Sequence, residues 1–328
     1  MRTRTLGPLT VSAIGLGCMS LSHAYGVPPA AEDSARLLNR ALDLGYTFLD
    51  TAALYGFGAN ETLIGNTLNA RRGEFALASK CGMTGVDGKR VIDGRPETLT
   101  RTCDESLARL QTDIIDLYYL HRLDRNVPIE DSVGALGELV ASGKVRAIGL
   151  SEVSADTIRK AHAVHPVAAV QSEYSLWTRN PEIAVLEACE ELGIGFVAFS
   201  PVGRGFFGGT LRDPAAIPEK DIRRGMPRFQ GDNFAANLVL VDALGALAQE
   251  QGCTSAQLAL AWVLAQRDFI VPIPGTTNPV HLEENAAADF DLDFDTLERL
   301  TDLFAAENIH GPRYNAATQA EIDTEEFA

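Results

Sequence analysis

The chain has 328 residues, 46% of them apolar, and sets 28 Lys plus Arg against 44 Asp plus Glu for a formal charge of −16. That length accommodates one large barrel or two average domains, the apolar share supplies a sizeable core, and the charge repels nucleic-acid phosphates and anionic lipid, so neither partner is expected. Five cysteines (Cys18, Cys81, Cys103, Cys189, Cys253) lie scattered without CxxC spacing, which points to reduced thiols and against a zinc or other metal site.

Near the N-terminus Pro8, Thr10 and Ser12 interrupt the apolar residues before a signal peptide can form. No later stretch reaches the roughly 18 apolar residues of a membrane span, so a cytoplasmic protein is expected. Short β-rich runs then alternate with amphipathic stretches. The expected strands are Val11 to Gly17, Thr47 to Ala52, Phe75 to Lys80, Ile115 to His121, Val145 to Ser151, Ala168 to Tyr174, Gly195 to Pro201 and Phe269 to Gly275. Helical stripes separate them, for example Leu99, Cys103, Ser106, Leu107 and Leu110, or Val133, Leu136, Leu139 and Val140. Gly45, Gly143 and Gly193 fit helix ends, and Pro96 and Pro181 fit first helical turns.

Eight β/α units without a break in composition argue for a single (β/α)8 TIM-type barrel over residues 1–328, with an open doubly wound sheet as the rival. GLGCMS after the first strand lacks the third glycine of a dinucleotide fingerprint, which weakens that rival. Two long loops follow the third and seventh strands, Gly82 to Glu97 and Gly203 to Asn233, on the face where barrel sites assemble. The second holds Arg204, Arg212, Lys220, Arg223, Arg224 and Arg228, a composition that suits either a solvated loop or a flap over an anionic cofactor. The acidic segment from about residue 315 reads as a loosely held tail.

Four ionisable residues fall at or just beyond strand ends: Asp50, Tyr55, Lys80 and His121. A phenol near pKa 10 is a poor acid at neutral pH, and an adjacent ammonium lowers that value. Lys80 would serve Tyr55 in this way, Asp50 would hold Lys80 charged, and His121 would donate to a carbonyl oxygen. Each residue alone has a structural reading; their convergence is what points to chemistry.

The segments GYTFLDTAALYG, FALASK and IDLYYLHR resemble the signature segments of the aldo-keto reductases. The resemblance continues through GLGCMS, SLARL, GKVRAIGLSEVS, VQSEYSLW and FSPVGRG to IPGTTNPVHLEEN, nearly the whole chain. It implies a β/α barrel that binds NADPH, sometimes NADH, without metal, and that reversibly reduces aldehydes or ketones. Asp50, Tyr55, Lys80 and His121 fill the family's catalytic tetrad, with Tyr55 as the acid. By the same resemblance Ser151, Glu152 and Gln171 hold the nicotinamide carboxamide, with Glu152 where asparagine is common. Phe199 stacks on the ring, and Ser200, Val202, Gly203 and Arg204 line the pyrophosphate. Gly275, Thr276, Thr277, Asn278, His281, Glu284 and Asn285 form the adenosine end.

Asn278 and His281 stand where permanent cations often grip the 2′-phosphate. NADP(H) is therefore favoured with NAD(H) as its rival, and a weakened NADPH preference is expected. Met19, Tyr25, Leu54, Arg122 and Trp177 are the substrate-pocket candidates, suited to a small carbonyl or alcohol with a hydrophobic body; Trp177 also reads as packing. Two other classes compete: a cofactor-binding, channel-associated regulatory subunit of the same fold, and a lyase using Lys80 as a Schiff base. The chain starts close to its first expected strand, which favours the reductase. A monomer is expected, no heptad or apolar patch being visible.

Overall fold

A computed structural model describes residues 1–86 and 89–327. In chain order its strands are β1 (Thr3–Leu6), β2 (Leu9–Ser12), β3 (Leu16–Gly17), β4 (Phe48–Asp50), β5 (Ala76–Cys81), β6 (Met83–Val86), β7 (Lys89–Ile92), β8 (Ile115–Leu120), β9 (Val145–Ser151), β10 (Val167–Glu173), β11 (Gly195–Phe199) and β12 (Ile270–Ile273). The principal helices are α1 (Ala31–Asp43), α2 (Ala59–Leu68), α3 (Pro96–Leu110), α4 (Ile129–Ala141), α5 (Ala155–Val164), α6 (Val185–Leu192), α7 (Gly231–Glu250), α8 (Ser255–Gln266), α9 (Pro279–Ala286) and α10 (Phe294–Leu303).

Eight strands form one parallel sheet in the order β12-β11-β10-β9-β8-β5-β4-β3. Its two edges approach each other, Gly15 N donating to Pro272 O at 2.9 Å and Gly17 N to Pro274 O at 3.2 Å, so the barrel nearly closes. This is the β/α barrel the repeated units imply, and the doubly wound alternative is excluded. Gly17 sits at that seam for a steric reason: a Cβ there would lie 2.8 Å from Ile273 O.

The first expected strand is corrected. Val11 to Gly17 is two elements, because Ser12 turns its hydroxyl to Ile14 O and the chain bends before β3. β1 and β2 make an antiparallel hairpin turned at Gly7, where φ is +55°. The hairpin lies under the N-terminal ends of the strands: a Cβ on Gly195, the first residue of β11, would meet Leu6 Cα at 3.1 Å. Leu6, Leu9 and Val11 thus join Phe48, Leu117, Tyr119, Val197 and Val271 in the barrel interior and plug its lower end. The larger apolar layer fills the space between barrel and helices.

The helices obey their stripes. α3 buries Leu99, Cys103, Ser106 and Leu110, with Pro96 in its first turn; α4 buries Val133, Leu136 and Leu139. Gly45, Gly143 and Gly193 follow helices with φ of +87°, +78° and +67°. Pro181 lies instead in a short 3₁₀ turn, Asn180–Glu182, ahead of α6. Both long loops stand above the C-terminal ends of the strands. The first carries the β6–β7 hairpin, although Asp87 and Gly88 lie outside the described residues. The second runs through four 3₁₀ turns and reaches the loop after β3, Ile222 N donating to Ala24 O at 3.0 Å.

Candidate active site

Asp50 ends β4, Tyr55 lies in the turn after it, Lys80 is in β5 and His121 directly follows β8, so adjacent parallel strands deliver all four to one mouth. The turn that presents Tyr55 runs through left-handed backbone at Gly56 and Phe57. Lys80 is fully buried and its ammonium spends three protons: on Asp50 Oδ1, on Thr51 O at 2.8 Å and on Tyr55 Oη at 3.3 Å. Asp50 also accepts from Gln171 Nε2 at 2.7 Å. His121 meets the Tyr55 ring edge-on, 5.9 Å between centroids.

Burial disfavours charge on Lys80, but Asp50 and Tyr55 outweigh it and raise its pKa. A protonated amine with its protons committed offers no lone pair for a Schiff base, which speaks against the lyase reading. Burial raises Asp50, with Lys80 and Gln171 pulling it back. For Tyr55, burial raises the pKa and Lys80 only partly opposes it. The net direction corrects the expected lowering: the phenol stays protonated. Burial, then the charges of Arg122 and Lys80, drive His121 well below the usual imidazole range, so the ring is neutral and its Nδ1 is buried without a partner.

A cavity of about 890 Å³ opens above this group. Met19, Tyr25, Leu54, Arg122, Ser151, Gln171, Phe199, Ser200, Val202 and Arg204 line it together with Asp50, Tyr55 and His121. Gly275, Thr276, Thr277, His281, Glu284 and Asn285 border its other end. His23, Arg90, Arg223, Tyr314, Asn315 and Thr318 line it as well, and of these the sequence pointed only to Arg223, in the loop read as a possible flap. Arg90 arrives on β7 and Tyr314 from the C-terminal segment, placements that no local pattern signals.

Four expected residues are placed elsewhere. Trp177 is buried against Phe206, Phe207 and Phe229 and packs rather than lining the cavity. Gly203 is buried in the turn itself; its φ is +54° and a Cβ would strike the Phe207 ring at 2.9 Å. Asn278 caps α9, its Oδ1 accepting from Val280 N at 3.0 Å. Glu152 turns its carboxylate away from the cavity to Arg313, to Thr324 Oγ1 at 3.2 Å and to Glu173 N at 2.8 Å.

Glu152 therefore belongs to a buried ion cluster. Arg313 also donates from Nε to Glu173 Oε2 at 3.1 Å, and Glu173 pairs with Arg204, whose Nη2 reaches Tyr314 Oη at 2.9 Å. Burial opposes ionisation of Glu173, yet Arg204, Arg313 and Arg228 together hold its pKa at about 2. Arg204 is thus a structural counter-ion that also borders the cavity. The cluster ties down the segment expected to be loose. Asp323 Oδ2 accepts from Ser154 Oγ at 2.8 Å and Thr157 Oγ1 at 2.7 Å, and Glu325 Oε1 from Ala155 N at 2.8 Å. These carboxylates sit at the N-terminus of α5, where unpaired N–H groups favour negative charge.

Among the described residues no group of three or more His, Cys, Asp or Glu could hold a metal, and no helix is long and apolar enough to cross a membrane. All five cysteines are free.

A chain with this barrel and mouth is similar to known proteins over nearly its full length. The model of the aldo/keto reductase family matches residues 13–304. A relative from Schizosaccharomyces pombe, named an NADP(+) aldo-keto reductase, is 44% identical over 98% of this chain and 96% of its own. The solved glycerol dehydrogenase of Gluconobacter oxydans superposes with a TM-score of 0.85 at 28% identity, covering 96% of this chain and 99% of that one. An aldo/keto reductase from Klebsiella pneumoniae, solved with NADP and acetate, gives 0.72 at 26% identity over 99% and 100%. The chain belongs to the aldo/keto reductase family.

Proposed function

We propose that this protein reversibly reduces aldehydes or ketones to alcohols with NADP(H), and that Tyr55 is the general acid. The observation that carries the reading is the Lys80 ammonium, fully buried and bonded at once to Asp50 and to the Tyr55 hydroxyl beneath the cavity. In reduction a carbonyl oxygen gains negative charge as its carbon accepts hydride. Tyr55 supplies the proton, and the phenolate left behind is stabilised by the Lys80 charge already in place. His121, neutral, donates one N–H to the same oxygen and orients it. Asp50 keeps Lys80 charged and positioned.

The residues present fit a dinucleotide. Phe199 offers a partly exposed ring face, Ser151 a hydroxyl and Gln171 an amide at the tetrad end. Beyond them Ser200, Arg204 and Gly205 bring left-handed backbone beside the cavity, which suits close approach of phosphate to main-chain N–H. When bound, the reduced nicotinamide supplies hydride. The yeast relative's name supports NADP as the cofactor. The regulatory-subunit alternative has no observation in its favour, since a binding role gives the Lys80–Tyr55 bond no purpose.

Replacement Tyr55→Phe tests the assignment. It is expected to leave NADPH affinity within about twofold while lowering carbonyl reduction by about 10²–10⁴-fold, the scale of a lost general acid. Near-normal turnover would overturn the role of Tyr55.

A further inference from the structure

Four arginines border the cavity, Arg90, Arg122, Arg204 and Arg223. Three are spent on carboxylates: Arg90 on Glu321, Arg204 on Glu173 and Arg223 on Asp221. Among the described residues Arg122 has no carboxylate partner. Its Nη1 donates to His121 O at 2.6 Å and to Ser151 Oγ at 3.2 Å, which fixes the side chain beside the tetrad. Its Nε is buried and unpartnered.

The charge balance at this end of the cavity is uneven. Lys80 and Asp50 cancel each other, and the other cavity carboxylate, Glu284, lies on α9 beside the adenosine-end candidates. Arg122 is left as a net cation, half-buried, in a chain whose formal charge is −16. Nη1 being engaged and Nε buried, Nη2 remains to donate a charge-assisted hydrogen bond to a carboxylate oxygen. His121, the neighbouring residue, lines the same cavity, and the Arg122 charge acts on both His121 and Tyr55, so the guanidinium stands near the proposed carbonyl position.

Resting on the reductase reading above, we propose that Arg122 determines specificity by binding a carboxylate carried by the substrate. The preferred carbonyl compounds are then oxo acids or aldehydes with a carboxylate within a few bonds of the carbonyl. This adds a carboxylate to the hydrophobic-bodied substrate that the sequence suggested.

The test uses the full-length protein with NADPH and matched pairs: pyruvate against methyl pyruvate, and 2-carboxybenzaldehyde against its methyl ester. Glyceraldehyde 3-phosphate against glyceraldehyde forms a phosphate arm. The wild type is expected to favour each acid over its ester by about tenfold or more in kcat/KM, the discrimination of a site built around one charged contact. Arg122→Gln is expected to erase that preference through KM, and Arg122→Lys to keep part of it. NADPH affinity, read by fluorescence quenching, is expected to change by no more than about twofold, since the group bound is on the substrate. Equal losses for acid and ester, a fall in NADPH affinity that accounts for the loss, or discrimination only in the phosphate arm would overturn the assignment. Turnover of esters and acids alike without preference sinks the inference alone. No turnover of any pair, nor of 4-nitrobenzaldehyde, sinks the reductase reading and the inference with it.

Discussion

Two opposing influences act on the Tyr55 hydroxyl: burial raises its pKa, and the Lys80 ammonium draws it down without prevailing. A phenol whose pKa lies above its ordinary value near 10 is in the acid form throughout the neutral range. On the proposed mechanism the lysine thus does not ionise the resting tyrosine; it steadies the phenolate as the proton leaves. These four residues were legible because strand ends can be read from period, and the ends of adjacent parallel strands must share a face. Glu152 was not legible: its partner Arg313 lies 161 residues away, and only the fold brings them together. The expected 2′-phosphate end belongs to this scale too. With Asn278 occupied as a cap, the polar residues of that stretch that line the cavity are Thr276, Thr277, His281, Glu284 and Asn285, and none is a permanent cation. Steady-state kinetics are expected to show a modest NADPH over NADH preference that moves toward parity when Thr277, Asn278 and His281 are replaced by alanine. A strong preference that survives the triple replacement would contradict this account.

Among the elements, the C-terminal segment departs furthest from its reading in the sequence. Its acidic composition suggested a solvated tail, yet Asp323 and Glu325 meet the N-terminus of α5, and Arg313 carries the chain into a buried ion cluster. Arg313→Ala would leave Glu152 buried without its counter-ion and Glu173 with only part of its own. A cost of about 3–5 kcal/mol is expected, the scale for removing one member of a buried pair, measurable by urea unfolding. A loss below about 1 kcal/mol, as for an exposed pair, would contradict the buried-cluster description. The pH dependence has a definite sign. Glu173 is depressed from 4.5 to about 2 in the folded chain, so its contribution to stability is present above about 4.5 and is lost as pH falls toward 2. The long loop after β11 was recognised as positive, but the destination of its arginines was not: Arg204 and Arg223 are neutralised by Glu173 and Asp221.

At the level of the whole molecule, the barrel divides labour between its ends. The N-terminal hairpin closes one end with Leu6, Leu9 and Val11, and the other end is kept for chemistry. Eight β/α units were countable from the sequence because each strand and stripe repeats its own period. The hairpin escaped because apolar residues run through the bend at Ser12 to Gly15, so two elements read as one strand. The two long loops above the mouth were recognisable by length alone; that the one after β11 reaches the loop after β3, Ile222 to Ala24, over a cavity of about 890 Å³ required the fold. On the function proposed above, the architecture places a buried acid and a neutral imidazole where a carbonyl can meet a nicotinamide. The most direct test of that claim is isotope transfer: NADPH deuterated at C4 of its nicotinamide, incubated with the wild-type protein and an accepted carbonyl substrate, and the product alcohol analysed by NMR. Deuterium is expected on the carbinol carbon from one of the two C4 labels and not from the other; product alcohol formed without label from either would contradict it.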